Sequence, residues 1–182
     1  MIKKLLLAVS AIIVIAIAII LIAAAMQADD LKVTRSATYS ASPEKVFEQI
    51  NDFRKWDAWS PWAKLDPNMT VTHSGAANGV GAAYAWKGNG DVGEGKMTIN
   101  ASHPYEHIGI DLDFIAPMEA KNKTDFTFKA NGDKTDVTWT MVGKKNFITK
   151  IFCVFFDMDK LIGADFEKGL AQLKPVVETT VK

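Results

Sequence analysis

Residues 107–114 read HIGIDLDF, with Ile108, Ile110, Leu112 and Phe114 alternating against Gly109, Asp111 and Asp113. A period of two puts the four apolar side chains on one face and the carboxylates on the other, so this is a strand of a sheet with one buried and one wet face. The same parity recurs outward from it. Val137, Trp139 and Met141 alternate with Asp136, Thr138 and Thr140; Met97, Ile99 and Ala101 alternate with Lys96, Thr98 and Asn100; Phe126 and Phe128 alternate with Asp125 and Thr127. Six strands are expected here, over 69–74, 81–86, 93–102, 107–114, 121–130 and 135–142, separated by glycine and turn residues in the manner of an antiparallel sheet. Asn131-Gly132-Asp133 predicts a tight hairpin between the last two, with positive φ at both central positions, Asn131 and Gly132.

Upstream, Leu31 to Ala41 alternates loosely as a further extended segment, and Ser42-Pro43-Glu44 then opens a helix. Ser42 suits the N-cap, Pro43 the first helical position, and Glu44 the positive end of the dipole. Its buried face is Val46, Phe47 and Ile50, and it stops near Asn51-Asp52. A turn rich in aromatic residues follows, with Phe53, Trp56, Trp59 and Trp62 and a break at Pro61.

Downstream of Gly143 the period becomes helical. A short first turn carries Phe147, Ile148, Ile151, Phe152 and Phe155. A long amphipathic helix carrying Leu161, Ile162, Phe166, Leu170 and Leu173 begins between Asp157 and Lys160. It is expected to end before Pro175, because the residue preceding a proline disfavours the α region. Strand, short helix, antiparallel strands and long helix in that order predict an α+β fold. A curved sheet gripping the C-terminal helix is the economical arrangement, since only that helix can cover so much apolar strand face.

The N-terminus has a different character. Lys3 and Lys4 precede an uncharged run from Leu5 to Met26 in which Ser10 is the only polar residue. Twenty-two helical residues reach about 33 Å, against a hydrocarbon core of roughly 30 Å. A retained single-pass anchor over 1–28, followed by one domain over 29–182, is the expected organisation. A cleavable secretory signal is the competing reading, and the length of the apolar run speaks against it. Lys3 and Lys4 before the span, with Asp29 and Asp30 after it, orient the N-terminus to the cytoplasm and the domain to the periplasmic or extracellular side.

Composition narrows the function. Lysine plus arginine and aspartate plus glutamate both total 21, so the chain is formally neutral and offers no basic footprint for nucleic acid. The single cysteine, Cys153, has no internal partner and sits in an apolar stretch, as expected of a buried structural thiol. Three scattered histidines make no metal-ligand spacing, and no metal or cofactor is expected. His73, His103, His107, Glu94, Asp111 and Asp113 are the proton-transfer candidates. They form no catalytic constellation, and no catalytic residue is assigned. Gly88, Gly90, Gly93 and Gly95 punctuate a hairpin, where no helix N-terminus could cradle a phosphate.

Four segments together resemble a known superfamily: SPEKVF at 42–47, WDAWSPWAKLDP at 56–67, YAWKGNGDVGEGKMTI at 84–99 and IGADFEKGLAQLK at 162–174. They are similar to the helix-grip (SRPBCC, START-like) superfamily, which includes START lipid-transfer domains, pathogenesis-related allergen-like proteins and the polyketide cyclase/dehydrase family. The resemblance runs from Val33 to Glu178.

It implies a cavity between the concave sheet face and the long helix, faced by Tyr84, Trp86, Met97, Ile99, Leu112, Phe114, Phe126, Phe128, Trp139, Phe166 and Leu170. Parity alone leaves each of these either lining a cavity or filling the core. The three tryptophans Trp56, Trp59 and Trp62 cap the open end of the core, act as a lid, or lie on the membrane. The implied function is a membrane-anchored, non-catalytic binding domain for a hydrophobic small molecule or lipid, tethered through Leu5 to Met26. A polyketide-cyclase-like enzyme and a protein-interaction module with a filled cavity are the alternatives.

Overall fold

The computed structural model describes residues 2–179. Seven strands form one antiparallel sheet: β1 (Asp30–Tyr39), β2 (Thr70–Gly75), β3 (Ala82–Lys87), β4 (Glu94–His103), β5 (His107–Ala116), β6 (Ala120–Asn131) and β7 (Lys134–Lys144). Their spatial order is β1-β7-β6-β5-β4-β3-β2, so the first strand closes against the last. Each expected strand is present, with ends moved by one or two residues.

The alternation read from residues 107–114 sets the two faces of β5, although burial itself does not alternate: Gly109 is buried, and Asp111 and Asp113 are half-buried between the neighbouring strands. Ile108 and Ile110 are buried in the core, and Leu112 and Phe114 continue the same face toward the strand end, where they are half-buried. The β6–β7 hairpin differs from expectation in one respect. Asn131 pairs with Lys134, leaving Gly132 and Asp133 as the loop, and of these only Gly132 has positive φ, at 65°. Positive φ at the first central position alone is the signature of a type II′ turn.

Among the described residues there are also four α-helices and one 3₁₀ turn: α1 (Ile2–Ala25), α2 (Pro43–Ile50), the 3₁₀ segment Phe53–Ala58, α3 (Phe147–Phe155) and α4 (Met158–Glu178). Ser42 caps α2 as its sequence predicts, its side chain accepting from the Lys45 amide at 3.4 Å. Val46, Phe47 and Ile50 are buried against the sheet. By length and composition α1 qualifies as a membrane span or a signal sequence, and Ala24 is its one buried residue.

Two expectations are corrected here. The C-terminal helix passes through Pro175 and runs to Glu178. An interior proline costs about 3 kcal/mol, but stopping before it would expose Val177, which is fully buried and whose burial is worth roughly 1.5–3 kcal/mol. Glu178 also accepts from the Ser40 amide at 2.8 Å, and the Thr179 carbonyl accepts from Lys45 Nζ at 2.9 Å. Tertiary contacts thus offset the local preference. Cys153 is half-buried rather than in the core, because no residue of α3 is buried. That helix packs on α1 instead of entering the domain.

One further contact fixes α4 across the sheet. Arg35, on the inward face of β1, reaches under the helix to Glu167 at 2.6 Å and to Asp159 at 3.1 Å, and Tyr39 Oη donates to the Leu170 carbonyl at 2.9 Å. Gly163 makes this crossing possible. A Cβ there would lie 1.9 Å from the Arg35 guanidinium.

Candidate ligand cavity

Strand pairing brings six ends to one edge of the sheet: the starts of β1, β4 and β6 and the ends of β3, β5 and β7. At this edge the concave face and α4 stand apart and enclose a cavity of about 390 Å³. Met97, Leu112, Trp139 and Met141 form its sheet wall; Phe166 and Ile162 of α4 close it from above. Its mouth is bounded by Val92 from the β3–β4 hairpin, Ala116 to Ala120 from the β5–β6 turn, and Lys144, Lys145 and Thr149 after β7. A second groove, of about 510 Å³, lies outside between the start of β1 and the α3–α4 junction. Charged residues, among them Asp30, Lys32 and Lys145, edge it.

Of the inward residues named from sequence, Tyr84, Trp86, Met97, Leu112, Phe114, Trp139 and Phe166 line this cavity. Ile99, Phe126, Phe128 and Leu170 do not. They are buried in packed core, and Phe128 meets Phe47 of α2 edge-on at 5.4 Å between ring centres. Parity shows which face a residue occupies but not how far along the strand the overlying helix fills it. The sequence reading missed Met69, Val92, Met118, Met141 and Ile162. Met141 continues the Val137–Trp139 alternation and Ile162 lies on the α4 apolar stripe, so both carried a signal. The loop residues carried none.

The tryptophan segment caps the core. Trp56 and Trp59 are buried, their indole N–H groups donating to the carbonyls of Ile50 at 2.9 Å and Gln49 at 3.3 Å. Trp62 is half-buried, meeting Trp139 at 5.9 Å and Phe166 at 6.4 Å. At the mouth, buried Asp66 accepts from the amides of Asn68 at 2.9 Å and Asn89 at 2.7 Å, and Trp86 Nε1 donates to the Val92 carbonyl at 2.9 Å. These bonds hold the β3–β4 hairpin, and with it Val92, against the cavity wall.

Two polar groups on the residues of the wall have distinct chemistry. Burial, reinforced by the nearby Asp57 carboxylate, pushes the Tyr84 phenol from the ordinary 10.0 up to about 12, so it remains a neutral hydrogen-bond donor even in mildly alkaline solution. Trp139 stacks on Phe166 at 3.9 Å with an interplanar angle of 6°. Its Nε1 is buried with no hydrogen-bond acceptor among the described residues. An unpaired buried donor costs about 1–3 kcal/mol.

The proton-transfer candidates lie elsewhere. His103 and His107 stack at 5.9 Å near the β4–β5 turn, and His107 Nε2 lies 2.7 Å from Asp125. His73 packs edge-on against Tyr84 from β2. Glu94 pairs with Lys87 at 2.8 Å, and Asp111 and Asp113 are on the opposite sheet face. Among the described residues no three His, Cys, Asp or Glu side chains come together as a metal-ligating group.

A seven-stranded antiparallel sheet folded around a C-terminal helix, with an apolar cavity between them, defines the helix-grip (SRPBCC, Aha1-like) class. Within it, residues 30–178 match the family described as polyketide cyclase / dehydrase and lipid transport, and the chain belongs to that family. Among solved structures it is similar to the Aha1 dimer of Colwellia psychrerythraea, with 16% identity, a TM-score of 0.59, and coverage of 84% of this chain and 99% of that one. It is also similar to Ara h 8.0201, with 13% identity, a TM-score of 0.55, and coverage of 81% and 97%. The di-domain ARO/CYC StfQ of the steffimycin biosynthetic pathway shares 7% identity at a TM-score of 0.61, over 82% of this chain and 51% of its own. Identities this low establish the fold alone. No curated protein matches the chain.

Proposed function

We propose that this chain is a membrane-tethered, non-catalytic binding domain that holds a hydrophobic small molecule or lipid between the sheet and α4. The cavity carries this reading. Its volume, about 390 Å³, lies within the roughly 300–1,000 Å³ typical of ligand sites, and its wall is mostly apolar with few polar groups, as such sites require. Its ligand-facing residues are Tyr84, Trp86, Met97, Leu112, Phe114, Trp139 and Phe166, with Ile99, Phe128 and Leu170 forming the packed floor behind them. The Tyr84 phenol supplies a donor for one polar oxygen on an otherwise apolar ligand.

Residues 1–28 serve as the anchor and 29–182 as the binding domain, with the N-terminus cytoplasmic and the domain periplasmic or extracellular. An apolar ligand partitions into the bilayer, and a tether holds the cavity within a short distance of that reservoir, raising its effective concentration. A cyclase-like enzyme would have to draw on Asp57, beside Tyr84, or on Asp91, Glu119 or Asp165, the other carboxylates that border the cavity. None of the acids and imidazoles picked out by sequence reaches the cavity.

Native mass spectrometry of the full chain released from membranes, before and after organic extraction, tests the proposal. A discrete extractable mass is the expected result. A chain that carries no such mass and takes up neither fluorescent lipid nor apolar dye overturns it.

A further inference from the structure

α3 is anomalous for a helix of a folded domain. Seven of its nine residues are apolar, yet none is buried. Ile148, Phe152 and Phe155, spaced i, i+4 and i+7 on one face, are 64%, 48% and 61% exposed, and Phe156 stacks on Phe152 at 4.4 Å to extend the patch. Across the cavity mouth Ile115 at the end of β5 and Met118 of the β5–β6 turn are also exposed. A soluble surface rarely leaves apolar groups this concentrated in water.

The position of α3 identifies what covers them. It packs on α1, the helix long and apolar enough to cross a membrane, whose one buried residue, Ala24, lies in its last turn. Lys150 on α3 pairs with Asp29, and the Lys145 amide just before α3 donates to the Asp29 carbonyl at 2.7 Å, so α3 is bound to the point where α1 ends and β1 begins. Thr149 on its flank lines the cavity. A spanning α1 therefore brings α3 and the cavity mouth to the surface of the bilayer. An amphipathic helix at that depth buries its apolar face at the headgroup–acyl boundary.

We infer that α3 lies in the outer part of one leaflet, its Ile148–Phe152–Phe155 face among lipid chains and the β5–β6 turn beside it, so that the cavity opens laterally toward lipid instead of into water. This rests on the tether proposed above and adds a second membrane contact and a route of entry. The mouth then accepts molecules already dissolved in the leaflet, including acyl-chain lipids, in preference to apolar solutes arriving through water.

The test uses the full chain with Cys153→Ser, which removes its single cysteine, and a new cysteine at Phe155→Cys labelled with the fluorophore NBD. Lys129→Cys, on an exposed position at the far end of β6, serves as the control. Both are reconstituted into phosphatidylcholine–phosphatidylglycerol vesicles with or without nitroxide-labelled lipid. At position 155 a blue-shifted emission and loss of most fluorescence to nitroxides about 5–10 Å below the headgroups are expected, with position 129 unaffected. Ile148→Glu/Phe152→Glu is expected to abolish that quenching and to slow uptake of a fluorescent phospholipid from the vesicles about tenfold. Neither residue is buried, so folding is retained.

A water-like spectrum at 155 overturns the inference. So does quenching that tracks protein density instead of lipid label, which would assign the face to a second copy, and so does shielding that appears only with an added membrane extract, which would assign it to a partner protein. Extractable ligand is measured separately. Lipid quenching without any ligand upholds the placement of α3 and overturns the carrier reading alone; ligand without quenching does the reverse.

Discussion

The two ends of the concave sheet face carry the same alternation of apolar side chains and come to different ends. At the far end Ile99, Phe126, Phe128 and Leu170 are buried in close-packed core, because α2 brings Phe47 against Phe128 and the 3₁₀ segment brings Trp56 and Trp59 against Phe126. At the near end Trp86, Met97, Leu112 and Phe114 lie on the same concave face of the sheet, but α4 stands off from them, and a cavity remains. One rule of strand parity thus serves two purposes. Packing at one end supplies stability; its absence at the other leaves room for a ligand.

Truncating one residue at each end has the largest expected effect. Phe126→Ala is expected to cost about 3–5 kcal/mol, because it leaves a new void in filled core. Leu112→Ala already borders empty space and is expected to cost less than half as much. Denaturant titration of both variants checks the contrast; equal costs would mean that the near end is packed in solution. The converse change is Leu112→Trp. In filled core such overpacking costs about 1–3 kcal/mol, whereas here the cavity absorbs the indole, so stability stays within about 1 kcal/mol of the parent while uptake of an apolar dye is lost.

Two smaller effects sharpen the chemistry of the near end. Trp139→Phe keeps an aromatic ring against Phe166 and removes the unpaired indole N–H, which is closed off from the cavity, so the protein is expected to gain up to about 1 kcal/mol with ligand binding unchanged. Thermal melting with and without extracted ligand checks both. Tyr84 gives a pH signature. Its folded-state pKa, about 12, lies above the ordinary 10.0, so the folded state holds this proton more tightly than the unfolded one. The resulting stabilisation is complete below pH 10 and is lost as pH rises through 12. Tyr84→Phe is therefore expected to flatten the fall in stability over that interval, measured by urea titration at successive pH values.

Much of the architecture was legible along the chain because it depends on neighbours in sequence. The period of two in residues 107–114 follows from strand geometry, Ser42 caps a helix through its own side chain, and a run of 22 uncharged residues is long enough for a bilayer without reference to anything else. The errors came where distant residues outweigh local ones. Pro175 is a helix breaker taken alone, but the burial of Val177 and the bonds to Ser40 and Lys45 carry the helix through it. Cys153 looked like core because its neighbours are apolar, and only the packing of α3 against α1 shows that this stretch faces outward.

The alternating strands, the long amphipathic helix, the apolar N-terminal segment and the face on which each inward side chain lies are all set by local pattern, since these follow from the periods of two and 3.6 and from length. Tertiary structure alone decided where that face is filled and where it is hollow, which edge of the sheet becomes the mouth, and which helix stands beside it. Those outcomes depend on contacts between segments more than a hundred residues apart, such as Arg35 with Asp159 and Glu167, and no local pattern encodes the distance between two surfaces.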